Sequence, residues 1–190
     1  MSTVNKKIKA NKSKFKTAEM AYIALFAVII AVCSWISVPA TVPFTLQTFG
    51  VYTSLLILGG KRGTIAVLLY ILLGATGLPV FSGFLGGIGV LLGTTGGYII
   101  GFLLMATVFW ISEYIFGPRL VVSIMSMITG LFALYALGTV WFVNVYANTV
   151  GDIGYFKALK LCVIPFIIPD LVKMFLAFLI ARRLKPLVNL

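Results

Sequence analysis

Two residues of opposite charge, Asp170 and Lys173, stand inside an otherwise apolar run, IPFIIPDLVKMFLAFLIARR (164–183). On a helix, a spacing of i, i+3 puts them on one side with Cβ atoms about 5–6 Å apart. A charge at the centre of a bilayer is disfavoured by about 2.5–3.5 kcal/mol on insertion scales, and ionisable residues retained there are candidates for function. The pair offers one acceptor and one donor at a fixed separation. It reads either as a structural ion pair or as the polar floor of an outward-facing pocket. Counted from Pro165 at about 1.5 Å per residue, Lys173 lies roughly 12 Å down the helix from its outer end. Pro169, just before the acid, removes a backbone donor and frees a carbonyl on the same stretch.

Other polar residues fall near the same end of the predicted elements: Thr45, Gln47 and Thr48 in one connection, Ser82 in the next, and Asn144 at the end of a long apolar run. Phe44, Phe49, Phe81, Phe84, Trp141 and Tyr146 supply apolar walls. A pocket that is mostly apolar with a few placed polar groups suits a small organic molecule better than an inorganic ion. At the other end of the chain, Ala27 and Ala31 form a small-xxx-small pattern that lets another helix approach closely.

The remaining chemistry is sparse. Histidine is absent, which removes the commonest general base and metal ligand. Four acids (Glu19, Glu113, Asp152 and Asp170) and two cysteines (Cys33 and Cys162) make a metal cage an unexpected outcome, and both cysteines read as buried packing residues. No G-x-x-x-x-G-K-[ST] motif is present, so the chain carries no signature for hydrolysing ATP. GIGVLLGTTGG lacks the G-x-G-x-x-G spacing and a soluble βαβ context, which rejects a dinucleotide site. Neither a catalytic triad nor a paired-carboxylate pattern occurs. The expected function is therefore not enzymatic, with no cofactor and no metal.

The elements that must position these residues follow from composition. The 190 residues are 61% hydrophobic and only 10% charged, with a mean hydropathy of +1.13. A soluble domain is about 25% charged, so this chain has too little charge to coat a water-facing surface. Apolar runs predict six spans, over about 17–36, 46–58, 63–74, 94–112, 120–143 and 163–181, in an all-α membrane bundle. The net charge of +11 is concentrated before the first span, where six lysines between Lys6 and Lys16 form a basic flank over 1–16. That flank reads as solvated and disordered, in contact with anionic lipid at the cytoplasmic face, and neither a secretory leader nor a nucleic-acid arm. Residues 17–190 then form one domain. With the N-terminus inside, 12 of the 15 basic residues fall in inside segments and only Lys157 and Lys160 in outside loops. This asymmetry predicts both termini in the cytoplasm. The glycine-dense segment 74–97 is too broken for a clean helix and too apolar for a free loop, and is expected to fold over the outer mouth of the bundle.

Four segments together carry a resemblance. TVPFTLQTFGV, GGKRGTIAVLLYILLGATGLPVFSG, GGIGVLLGTTGGYIIGF and IPDLVKMFLA resemble the BioY family, the biotin-binding S components of energy-coupling factor (ECF) transporters. The resemblance covers most of residues 15–185, with 113–140 matching more weakly. It implies an ECF S-component-like bundle in the plasma membrane of a prokaryote, with biotin as ligand near the outer face. It also implies a transmembrane T component and two ABC-type ATPases as partners, docked through Ala27 and Ala31. Asp170, Lys173, Gln47, Thr45, Phe44, Phe81, Ser82, Asn144 and Tyr146 are the expected biotin-binding residues. The alternatives are an S component for another vitamin, such as thiamin or riboflavin, a membrane enzyme, or a non-transport membrane protein.

Overall fold

The structure, a computed structural model, describes the backbone of residues 2–188 and the side chains of residues 17–188. The side chains of the basic flank, and with them its six lysines, lie outside the described residues. The chain runs through α1 (Ser2–Trp35), a two-stranded hairpin of β1 (Ser37–Val38) and β2 (Phe44–Thr45), α2 (Gln47–Leu58) and α3 (Gly60–Ala75). It continues through the short α4 (Ile88–Leu92), α5 (Gly96–Phe116), α6 (Leu120–Thr149), α7 (Tyr155–Cys162) and α8 (Ile164–Leu184).

Among the described residues, four segments are long and apolar enough to cross a membrane: Thr17–Trp35, Gly96–Phe116, Leu120–Thr149 and Tyr155–Leu187. Helices α2 and α3, at 12 and 16 residues, are shorter than the roughly 20 residues that span hydrocarbon. Large apolar side chains on the outside, among them Leu25, Val28, Val32, Phe175 and Leu179, are exposed. Helices with exposed apolar faces and all backbone bonds made internally suit a lipid environment.

Packing of α5 on α6, α2 on α8, and α1 on α2 and α3 builds one core around Tyr52, Tyr70, Phe109 and Phe142. The polar turn expected at GGKRG contracts to a single residue. Gly59 takes φ +79, a left-handed conformation that L side chains rarely adopt, and α3 starts at the next residue. Helix α6 runs past its expected end at 143 because no glycine or proline interrupts it before Gly151. The second half of the connection read as a polar loop is α7, whose Ala158 and Cys162, four apart, are buried on one face.

Segment 76–95 lies over one end of the bundle. The indole of Trp35 donates to Pro79 O (2.8 Å), the hydroxyl of Ser34 donates to Val80 O (2.5 Å), and the indole of Trp141 donates to Gly93 O (3.0 Å). Phe81 is fully buried beneath this cover, its ring lying where a Cβ on Gly74 would stand. Gly74→Ala is expected to force Phe81 out of its seat and to destabilise the protein by about 1–3 kcal/mol. Thermal unfolding in detergent checks this, and an unchanged midpoint would refute the fit described for Phe81.

At the other end of the bundle, the turn into α3, the link after α5 and the end of α8 lie close together. Glu19 of α1 pairs with Arg62 of α3 (2.6 Å), and the Glu113 carboxylate of α5 accepts the backbone N–H of Gly60. Lys185 and Pro118 line the same crevice as these residues.

Candidate functional site

The Asp170–Lys173 pair is formed and buried. Lys173 Nζ lies 2.8 Å from Asp170 Oδ1, and the residues are 5% and 3% exposed. Helix α8 continues through Pro169, so the i, i+3 geometry read from the sequence survives that residue.

The groups around the pair offset its burial cost. Asp170 Oδ1 accepts from the Thr48 hydroxyl (2.9 Å) as well as from Lys173, and Oδ2 accepts from the Tyr135 hydroxyl (2.7 Å). Lys173 donates to Asp170, to the backbone carbonyl of Thr45 (2.7 Å) and to Thr48 Oγ1 (3.2 Å). Its ammonium also stands 4.2 Å from the centre of the Phe44 ring. Helices α2, α6 and α8 and strand β2 thus converge on one ion pair. The hairpin is what aims a carbonyl at Lys173: β1 pairs β2 antiparallel, with Ser37 opposite Thr45 and Val38 opposite Phe44.

A carboxylate has about four acceptor sites. Asp170 uses three, leaving one on Oδ2. An ammonium has three donors. Lys173 uses all three, the bond to Thr48 being the longest.

The pair lies on the wall of a cavity of about 760 Å³, counted to its open mouth. Its polar lining includes Thr45, Gln47, Thr48, Ser82, Tyr98 and Tyr135 with the pair, and its apolar lining includes Phe81, Leu85, Val90, Phe102 and Phe166. Phe81, Ser82, Leu85, Val90 and Thr95 come from the cover or its end, so the glycine-rich segment does close over this space.

Of the residues expected from the sequence, Asp170, Lys173, Gln47, Thr45, Phe81 and Ser82 line the cavity together. Phe44 stands behind Lys173 and against Phe166, with ring centres 5.8 Å apart. Thr45 engages Lys173 through its main chain, while its hydroxyl accepts the N–H of Gln47 (3.2 Å). Gln47 points its amide at the Tyr70 hydroxyl (2.9 Å).

Three expectations are corrected. Asn144 is exposed and donates to Val140 O one turn back on α6 (2.8 Å), and it does not line the cavity. Tyr146 stacks on Phe142, with ring centres 5.2 Å apart, and is likewise not a lining residue. Both misplacements follow from α6 continuing to Thr149, which makes these positions helical rather than part of a rim loop. Ala27 and Ala31, expected as a docking face, are 1% and 4% exposed. They face the chain's own core, because the side of α1 that carries them packs on α2 and α3.

Tyr135 carries no functional signal in the sequence. It sits in the middle of an apolar helix, in the stretch where the sequence carried least signal. The usable clue was stoichiometric: a buried carboxylate needs more donors than one lysine supplies. Tyr135→Phe is expected to leave Oδ2 without a donor and to destabilise the fold by about 1–3 kcal/mol, read as a lower thermal midpoint. An unaltered midpoint would sink the assignment of this hydroxyl to Asp170.

The chain is 45% identical over 167 residues to the "Biotin transporter BioY" of Thermotoga maritima, covering 86% of this chain and 93% of that one. It is 41% identical over 172 residues to the "Probable biotin transporter BioY" of Pyrococcus horikoshii, covering 90% and 98%. A crystal structure of the S-component for biotin from an ECF-type ABC transporter superposes with a TM-score of 0.77 at 26% identity, covering 91% of this chain and 93% of that chain. With the BioY family model matching residues 6–190 as well, the chain belongs to the BioY family.

Proposed function

We propose that the chain captures biotin at the outer face of a prokaryotic plasma membrane as the substrate-binding S component of an ATP-driven ECF transporter. On this reading it is a transport component, not an enzyme. It crosses the membrane six times with both termini in the cytoplasm, and residues 17–190 form its single domain. Helices α2 and α3 then count as short spans, their ends shielded by neighbouring helices. The energy comes from a transmembrane T component with two ABC-type ATPases, since this chain has no nucleotide-binding signature.

One observation carries the proposal: a fully buried ion pair on the wall of a largely apolar, cover-closed cavity, in a member of this family. Biotin's ureido ring has two N–H donors and one carbonyl, and its thiophane ring and valeryl chain are apolar. The unused acceptor site on Asp170 Oδ2 takes a ureido N–H. Lys173 exchanges its longest bond, to Thr48, for the ureido carbonyl. Charge-assisted bonds of this kind are stronger than neutral ones. Phe81, Leu85 and Phe166 pack on the apolar part, with Gln47 and Ser82 at its polar edge.

The test is titration of the purified protein with biotin, thiamin and riboflavin. Saturable binding of biotin alone is the expected result. Saturation by thiamin or riboflavin in its place would reassign the substrate. Vesicles containing this chain without ATPases should bind biotin but not accumulate it, and concentrative uptake by them would remove the need for partners.

A further inference from the structure

At the end of the bundle remote from the Asp170 cavity, a crevice opens between α8 and the α5–α6 elbow. Arg182 lies about 18 Å along the α8 axis from Asp170. The crevice walls include Leu56, Phe109, Leu120 and Phe178, and its rim carries Arg119, Arg182 and Lys185. All three cations are exposed. None has a carboxylate within ion-pair distance among the described residues, where the ion pairs are Glu19–Arg62 and Asp170–Lys173. Glu113 also lines the crevice, but its carboxylate is turned to the Gly60 N–H and forms no ion pair with any of the three cations. The Arg182 guanidinium is anchored over the Phe178 ring, 5.9 Å from its centre. Beside the cations the elbow exposes Ile115, Phe116, Leu120 and Val121.

Three cations without anionic partners at the mouth of an apolar crevice, next to an exposed apolar elbow, complement a molecule with phosphate at one end and hydrocarbon at the other. We propose that this crevice binds an anionic phospholipid, with Arg119, Arg182 and Lys185 around the headgroup phosphate and Leu120 and Phe178 against the start of the acyl chains. Basic pockets between membrane helices bind such headgroups. On the orientation proposed above, this end faces the cytoplasmic leaflet, where anionic lipid resides. The site is independent of the vitamin, and its test does not involve one.

The experiment measures lipid retained by the full chain from nanodiscs of phosphatidylcholine with or without phosphatidylglycerol, by native mass spectrometry and thermal midpoint. The wild type should retain phosphatidylglycerol selectively and gain a saturable rise in midpoint. Arg119→Gln, Arg182→Gln and Lys185→Gln should each lower retention roughly fivefold, the factor corresponding to about 1 kcal/mol per basic residue at an anionic surface. Arg183→Gln, adjacent in sequence but not in the crevice lining, should leave retention unchanged. Equal loss on Arg183→Gln would reduce the effect to diffuse charge and overturn the site. So would full retention in the three variants, or an equal midpoint rise with inorganic phosphate alone.

Discussion

Asp170→Asn and Lys173→Ala are each expected to weaken biotin binding by about 10- to 150-fold, the range that follows from losing a hydrogen bond to a charged group. The effect rests on two features of the site. The acid keeps one acceptor position open toward the cavity, and the lysine holds one bond longer than the others, 3.2 Å to Thr48, that a ligand carbonyl can replace. The Asp170→Asn side chain would present an amide in place of a carboxylate, losing the charge that strengthens a ureido N–H bond. Removing the ammonium deprives the ligand carbonyl of its donor. Calorimetric titration on monodisperse protein separates this loss from misfolding. Undiminished affinity in both variants would show that the pair serves the fold and that biotin is recognised elsewhere.

The second large effect is on stability. Breaking a buried ion pair by removing one partner destabilises by about 3–5 kcal/mol, because the other charge is left uncompensated. Lys173→Gln should fall in that range: Asp170 would keep Thr48 and Tyr135 as donors but no cation to balance its negative charge. Asp170→Asn should fall there too, leaving an ammonium held by Thr45 O, Thr48 and the Phe44 ring. The double variant Asp170→Asn/Lys173→Gln contains no buried charge and keeps groups able to pair with Tyr135, Thr48 and Thr45 O. It is expected to be more stable than either single variant, with a coupling at the upper end of the usual 0.5–3 kcal/mol, or about 3 kcal/mol. Thermal unfolding of the four proteins in one detergent measures this. Strict additivity would mean that the two charges do not depend on each other. The double variant also separates folding from binding, since it should be stable yet bind biotin poorly.

The same buried pair is both structural and available to a ligand. Read from the sequence, these were alternatives. The tertiary arrangement makes them compatible: six contacts satisfy most of the bonding capacity of the pair, and one acceptor site is left over.

The membrane class, the intrahelical pair, the contribution of the loop around Thr45 and Gln47, and the covering role of the glycine-rich segment were legible in the sequence by itself. Each is local: hydropathy over about 20 residues, an i, i+3 spacing, or glycine density within one segment. Where an apolar helix ends, and which face it turns inward, was not legible. Nothing in NVYANT separates a helix from a rim loop, so Asn144 and Tyr146 were drawn toward a cavity they do not line. Alanine at 27 and 31 permits close approach equally to a partner helix or to α2 and α3, and only packing shows that the chain uses it for itself. Tyr135 was hidden for the same reason. Its hydroxyl becomes a ligand for Asp170 only when α6 and α8 lie side by side, 35 residues apart in the chain. Apolar periodicity in a membrane helix is weak because lipid and protein core are both apolar, so the choice of inward face is left to side-chain packing and buried hydrogen bonds.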